Sequence, residues 1–292
     1  MAPVLSLFTI QSCYKNALKI QQLFIILRFC SSHDGRMNLR TPRLQFLLPI
    51  AAACFMAVVP VSAVNCALAQ NAVSPVTPNL TAAQIVDRME RNNQMRAENL
   101  KHYKALRHYS VEYVGFPKNV TASLDVELNY DAPSTKKFRV VSQSGSKYVV
   151  EHVLMKLVEG ERDASGDKRA TALTHENYNF QLVGTEAVNG RPAYILNVEP
   201  HSESKYLYRG KIWVDAADFA VMKIDAEPSK SPSMWISKTE IHHVYSKTGE
   251  FWLPETNRSE TKVRIGGTAV LTIDYGKYTN LNETNLQTAS TR

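Results

Sequence analysis

Cysteine is missing from most of this chain. All four, Cys13, Cys30, Cys54 and Cys66, fall within the first 69 of 292 residues, so the 223 that follow carry no thiol. Those 223 residues therefore have no disulfide framework, no cysteine-ligated zinc or iron–sulfur site and no cysteine nucleophile. Common catalytic signatures are lacking as well: beyond residue 69 there is no GxSxG, HExxH, Walker loop or dinucleotide fingerprint. A strong charge excess is lacking too. The formal net charge is +7, but residues 1–69 hold six basic residues (Lys15, Lys19, Arg28, Arg36, Arg40, Arg43) against Asp34, which leaves 28 basic against 26 acidic, or +2. Nucleic acid is thus not an implied partner, nor is an anionic membrane surface. A hydrophobic fraction of 44% excludes wholesale disorder, and 223 residues suit one large β-rich domain.

What residues 1–69 do contain is an export pattern. From Met37 the chain reads MNLRTPR, then LQFLLPIAAACFMAVVPVSAV, then NCALAQ: a basic start, an apolar stretch and a small-x-small site ending at Ala69. Leu44 to Val64 spans 21 residues, as an anchor would, but Pro49, Pro60 and Ala67-Leu68-Ala69 favour cleavage. Asn65, rather than a small residue, precedes Cys66, which argues against lipidation. The expected organisation is an untranslated or unstructured segment 1–36, a signal peptide 37–69 cleaved after Ala69, a Pro-containing linker 70–79, a folded domain 80–282 and a disordered tail 283–292. The mature protein is expected in the periplasm.

Thr81-Ala82-Ala83-Gln84 fits a capping box, in which the Thr hydroxyl and the Gln side chain satisfy orphan backbone donors. The apolar stripe Ile85, Val86, Met89 follows and resumes at Leu100, Tyr103 and Leu106, so one helix broken near its middle is expected. After about residue 107 the period drops to two. Tyr109, Val111 and Tyr113 alternate with His108, Ser110 and Glu112, and Leu124, Val126, Leu128 and Tyr130 with Asp125, Glu127 and Asn129. A third strand carries Phe138 and Val140. A second helix then presents Val150, Val153, Leu154, Leu157 and Val158, with a charged exit at Glu159 to Arg169. From Asn177 onward, turn residues at Asn189-Gly190, Ser202 to Ser204, Ala216 to Asp218, Pro228 to Pro232, Thr248-Gly249 and Gly266-Gly267 punctuate a strand series. About ten antiparallel strands with one apolar face must close, stack or curve over a helix. The expected fold is mainly β: an unclosed antiparallel barrel, or half-barrel, with two helices across its mouth as a lid.

Polar candidates are few. Glu240, His242 and His243 could be imagined as metal ligands, but adjacent strand residues point to opposite faces, so no metal site is expected. Asp125 and Glu127 share a face, yet it is the polar alternate of a strand, the solvent side. Lys205, Arg209 and Lys211 could hold an anionic headgroup or form a solvated basic edge. Trp213, Trp235, Trp252 and the tyrosines could line a cavity or simply pack the core. No cofactor is implied.

The pattern of helix, strands, helix and β-meander resembles the bacterial outer-membrane lipoprotein-sorting proteins, the LolA/LolB-like carriers, over roughly residues 80 to 280. The residues that prompt this are Gly210-Lys211-Ile212-Trp213-Val214-Asp215 followed by Asp218-Phe219-Ala220-Val221-Met222-Lys223-Ile224. Gly184-Thr185-Glu186, Gly190-Arg191-Pro192-Ala193-Tyr194, Phe251-Trp252-Leu253-Pro254 and Leu271-Thr272-Ile273-Asp274-Tyr275 add to it. The resemblance implies an open barrel whose interior accepts acyl chains and moves them toward the outer membrane, with an inner-membrane release transporter and an outer-membrane acceptor as partners. Chemistry agrees that such cargo needs shelter: a 16-carbon chain carries about 12 kcal/mol of transfer free energy at ~0.8 kcal/mol per CH₂. The cavity residues it implies are Tyr109, Val111, Tyr113, Leu124, Val126, Leu128, Tyr194, Leu196, Val198, Ile212, Val214, Leu271 and Ile273. It further implies an arginine on the barrel that bonds to the lid. Arg107 is its positional candidate, with Arg209 and Lys211 as headgroup contacts. The expected function is carriage without covalent change. An envelope sensor of lipids or lipoproteins on the same fold is the alternative, and a periplasmic hydrolase a further one. Conserved polar residues clustered in the cavity would favour the enzyme, a uniformly apolar lining the carrier.

Overall fold

The computed structural model describes residues 80–282 except 134, 163–168, 205, 232–233, 235 and 265. The expected signal peptide, linker and tail lie outside the described residues, as do Lys205 and Trp235. No helix among the described residues is long and apolar enough to cross a membrane.

The capping box forms as read: the Thr81 hydroxyl accepts from the Gln84 amide, and the Gln84 side chain accepts from the Thr81 amide. It opens α1 (Ala82–Asn99), which buries Ile85, Val86, Met89 and Ala97. The helix stops earlier than its apolar stripe suggested. Leu100 caps it, and Tyr103 and Leu106 belong to β1 (His102–Gly115), on opposite faces. Their spacing of three fits a helix, but pairing with β2 (Val120–Asp131) claims the backbone donors from His102 onward, and Leu106 faces outward. β3 (Thr135–Gly145) follows, with Phe138 half-buried and Val140 exposed.

Helix α2 covers 147–162 in three consecutive pieces, Lys147–Val149, a π-helical turn at Val150–Leu154, and Met155–Arg162. It extends past Glu159, so part of the expected charged exit is helical and Glu161 is buried. The meander then runs through β4 (Tyr178–Val188), β5 (Arg191–Pro200), β6 (Tyr208–Asp215), β7 (Val221–Pro228), β8 (Ile236–Thr248), β9 (Phe251–Val263), β10 (Gly267–Asp274) and the short β11 (Tyr278–Thr279). Asn189 and Gly190, with φ of 50° and 76°, make the tight β4–β5 turn that two left-handed residues allow.

All pairings are antiparallel in the order β3-β2-β1-β10-β9-β8-β7-β6-β5-β4, with β11 also on β1. The first and last halves of the chain therefore meet where β1 pairs β10. β3 and β4 remain as edges, so the barrel is unclosed. The register sets inward residues in rows across the concave face. One row runs Leu124, Tyr109, Ile273, Asn257, His243, Ile224, Ile212, Leu196; the next runs Ala122, Val111, Leu271, Ser259, Ile241, Ala226, Gly210, Val198. The core divides accordingly. One cluster packs α2 on β1, β2 and β10; another packs α1 on β4 to β7; a third, at one end, joins Leu100, Tyr103, Ala105, Leu128, Tyr130, Phe251 and Leu253.

Candidate functional site

On β1 the inward alternate reads Tyr103, Ala105, Arg107, Tyr109, Val111, Tyr113, so the strand carries one cation into an apolar face. Arg107 is 2% exposed. Its guanidinium donates to both oxygens of Glu161 on α2 at 2.7 Å, and Lys136 Nζ on β3 donates to Glu161 Oε1 at 2.7 Å. The guanidinium also lies 4.7 Å above the centre of the Tyr275 ring. One carboxylate on the covering helix thus ties two strands to it.

Burial works against the charge of Glu161, but Arg107 and Lys136 outweigh it and hold the carboxyl at about 2. Burial likewise works against Arg107, and Glu161 overcomes it, so the guanidinium titrates above its usual range. Lys136 moves the other way: burial depresses it, and the repulsion of Arg107 adds to that, beyond what Glu161 restores. Such a buried ion cluster adds less stability than packed hydrocarbon of the same volume, while loss of its central charge costs roughly 3–5 kcal/mol.

A second polar feature lies on the same concave face. Along β8 and β9 the inward residues are Thr239, Ile241, His243 and, opposite them, Thr261, Ser259, Asn257. Thr239 and Thr261 bond to each other through their hydroxyls at 3.3 Å. By contrast, both ring nitrogens of His243, both amide atoms of Asn257 and the Ser259 hydroxyl are buried without a hydrogen-bond partner among the described residues. Burial, and then neighbouring His242, lowers His243 to about 3, so its ring is neutral at ordinary pH. Each unsatisfied group carries a desolvation penalty of roughly 1–3 kcal/mol. The seam divides the apolar surface under α2 from that under α1.

The thirteen expected cavity residues are all buried and inward-facing. They fall into separate beds: Tyr109, Val111, Tyr113, Leu124, Val126, Leu271 and Ile273 lie under α2, and Tyr194, Leu196, Val198, Ile212 and Val214 lie under α1. Leu128 belongs to the end cluster. Between α1 and β7–β9 there is a slot of about 10 Å³ lined by Arg96, Tyr245, Trp252 and neighbours, which is room for about one water molecule. With both helices in place, that slot does not admit an acyl chain.

Arg209 and Lys211 stand on the convex side of β6, opposite the inward alternate Tyr208, Ile212, Val214. Arg209 faces Glu199 at 3.5 Å and donates to the Ser229 carbonyl. The fold does not bring this pair to the concave face. His242 pairs outward with Asp225 at 2.8 Å while His243 points inward, as strand alternation requires, and Glu240 pairs with Lys238. Asp125 bonds His108 and Ser142, and Glu127 bonds Arg139, all on the outer face.

The residues that carried the resemblance build an anchor for a turn. Arg191 clamps Asp215 at 2.6 and 3.0 Å and reaches Asp218 at 3.1 Å; Lys247 and Trp252 also donate to Asp218. Phe219, at a φ of 49°, is held in the left-handed region there. Asn92 and Arg96 of α1 donate to the Asp218 and Phe219 carbonyls, so this turn fastens the C-terminal half of α1, while Glu90 accepts from the His175 amide ahead of β4. The Trp213 and Trp252 indoles are committed to Glu186 and Asp218.

Alternation could not reveal the seam, because Thr256 to Lys262 is polar on both faces and His242-His243 is the same residue twice. Glu161 was hidden in a charged run.

Residues 171–280 match a family of unknown function (DUF5686), little more than a third of the chain. No curated protein sequence matches. Among solved structures, a DUF1329-family protein from Desulfovibrio piger is 16% identical, with 72% of this chain and 96% of that one covered at a TM-score of 0.35. A LolA-superfamily protein from Nitrosomonas europaea is 12% identical, with 68% and 93% covered at 0.32. Lipoprotein LppX from Mycobacterium tuberculosis is 10% identical, with 68% and 96% covered at 0.23.

Proposed function

We propose that this protein is a periplasmic carrier that shelters lipid or lipoprotein acyl chains on its concave face and moves them toward the outer membrane without covalent change. The observation that carries this reading is the construction of the concave side. It consists of two apolar beds on an unclosed sheet, separated by the polar seam of β8 and β9 and covered by two helices, each fastened at a few polar points. Glu161 ties α2 to Arg107 and Lys136, and the Asp218-Phe219 turn ties α1 through Asn92 and Arg96. Moving a helix that is packed by hydrocarbon and tied to the strands through Glu161 uncovers the apolar bed of β1, β2 and β10 beneath it. An ion cluster suits such a switch, because it selects one position of the helix while stabilising it less than hydrocarbon would. Export through the 37–69 segment, with cleavage after Ala69, belongs to this reading, as do a membrane transporter as donor and an outer-membrane acceptor.

A reading as a hydrolase would need the seam to work as a nucleophile and base. Ser259 and His243 are diagonal across β9 and β8, about 7–8 Å apart at their backbones, and do not hydrogen-bond. An active nucleophile would sit within hydrogen-bond reach of its base.

The test is to purify the mature chain from its native periplasm, extract it with solvent and identify co-purifying lipid by mass spectrometry. Titration with a fluorescent fatty acid completes it. Saturable binding near one or two equivalents is expected. Neither co-purifying lipid nor fatty-acid binding would remove the carrier reading.

A further inference from the structure

We infer that His243, Asn257 and Ser259 form a binding site for the uncharged polar linkage of a lipid, an ester, amide or hydroxyl group, whose hydrocarbon lies on the apolar beds to either side. The inference rests on the carrier reading and adds to it the chemical class of the cargo.

Three observations carry it. First, the atoms are placed together: His243 is directly opposite Asn257, and Ser259 is the next inward residue of the same strand. Facing residues such as His243 and Asn257 have Cβ atoms about 4.5–5.5 Å apart, and the diagonal pair His243 and Ser259 is about 7–8 Å apart, so the several polar atoms of one lipid linkage span the three side chains. Second, these side chains are 1–2% exposed and unpartnered among the described residues, whereas Thr239 and Thr261 at the next level of the same two strands satisfy each other. Buried polar groups are nearly always hydrogen-bonded, so each exception calls for a partner or a role. Third, the seam is bounded by apolar rows: Ile273 and Leu271 on one side, Ile224 and Ala226 on the other.

The set of atoms defines what fits. A neutral imidazole offers one donor and one acceptor, the amide two donors and a carbonyl, the hydroxyl one of each. None of the apolar residues flanking the seam carries a charge, and Arg107, on β1, is committed to Glu161. A carboxylate or phosphate would therefore be desolvated without a counter-ion, whereas an ester carbonyl finds donors, and an amide or hydroxyl finds an acceptor for its proton as well.

The test uses displacement of a fluorescent fatty acid from the full mature chain by monopalmitoylglycerol, which has an ester and two hydroxyls, and by hexadecane, which has neither. Wild type should take up monopalmitoylglycerol more tightly than hexadecane. Asn257→Leu and Ser259→Ala should each weaken monopalmitoylglycerol about tenfold and leave hexadecane unchanged. Neither should lower the melting temperature, since each removes an unsatisfied buried group. Ser259→Ala deletes a single oxygen, so it remains readable if the leucine variant fails to fold. Addition of monopalmitoylglycerol should also move the ¹⁵N resonances of the His243 ring. Wild-type affinity for monopalmitoylglycerol in both variants would overturn the seam site and leave the carrier reading intact. Failure of wild type to bind any of the three lipids would overturn both. Release of palmitate by wild type but not by Ser259→Ala would replace the binding site with a catalytic one.

Discussion

Glu161 decides how α2 sits on the sheet. A carboxylate held between two buried cations cannot be removed singly without leaving both uncompensated, so Glu161→Gln should cost roughly 3 kcal/mol. Replacing all three members together, as Arg107→Met, Lys136→Met and Glu161→Leu, should restore most of that loss. Urea denaturation of the single and triple variants measures the difference. Equal destabilisation by both would mean that the three residues do not act as a unit. Arg107 itself was a candidate because the resemblance to the lipoprotein carriers implies such an arginine and the first strand was expected to begin near it, although β1 begins at His102. Its partner was not, because nothing in the run Glu159 to Arg162 distinguishes a buried carboxylate from a solvated one.

At the scale of elements, the two covering helices are fastened differently. α2 is tied by a charge cluster, and α1 by Glu90, which accepts from the His175 amide, and by Asn92 and Arg96, which reach backbone carbonyls of a turn that is itself braced by Arg191, Asp215, Lys247 and Trp252. Arg96→Met should leave the helix folded, since its capping box and buried stripe remain. It should, however, loosen the helix from the sheet by roughly 1–2 kcal/mol, the worth of charge-assisted bonds of this kind. Amide hydrogen exchange would read this as faster exchange in Ile85 to Met89 with little change in β1 or β10. Uniform acceleration across the whole domain would show instead that α1 does not open separately. The motif residues Asp215 and Asp218 thus support the fold by organising one turn.

For the whole molecule, acid should act twice. His243 is held neutral, at about 3 against an ordinary 6.5, so the unfolded chain binds a proton that the folded chain does not. The stability this group contributes is full above pH 6.5 and falls as pH drops toward 3. Glu161 is held charged, at about 2 against 4.5, so its contribution is full above pH 4.5 and is lost as pH falls through 2. Both losses have the same sign. Melting temperature should decline from pH 6 to pH 2.5, with His243→Leu flattening the upper part of the curve and Glu161→Gln the lower. A flat profile over that range in wild type would contradict both assignments.

Strands and helices were legible in the sequence, because period-two and period-3.6 apolar spacing, the Thr81 capping box and the Asn189-Gly190 turn are local features. It also determined that the concave face is apolar at thirteen named positions, since alternation settles which side of a strand a residue takes. Where the pattern was ambiguous, at Tyr103 and Leu106, long-range pairing with β2 overrode the helical spacing. That twelve of the thirteen positions form two beds, with Leu128 in the end cluster, could not be read from the sequence, because that depends on which helix crosses which strands. The partnership of Glu161 with Arg107 and Lys136, and the gathering of His243, Asn257 and Ser259, were likewise decided in three dimensions. Residues 54 apart become hydrogen-bonded in the first case, and in the second strand register alone sets the polar residues of β8 and β9 side by side.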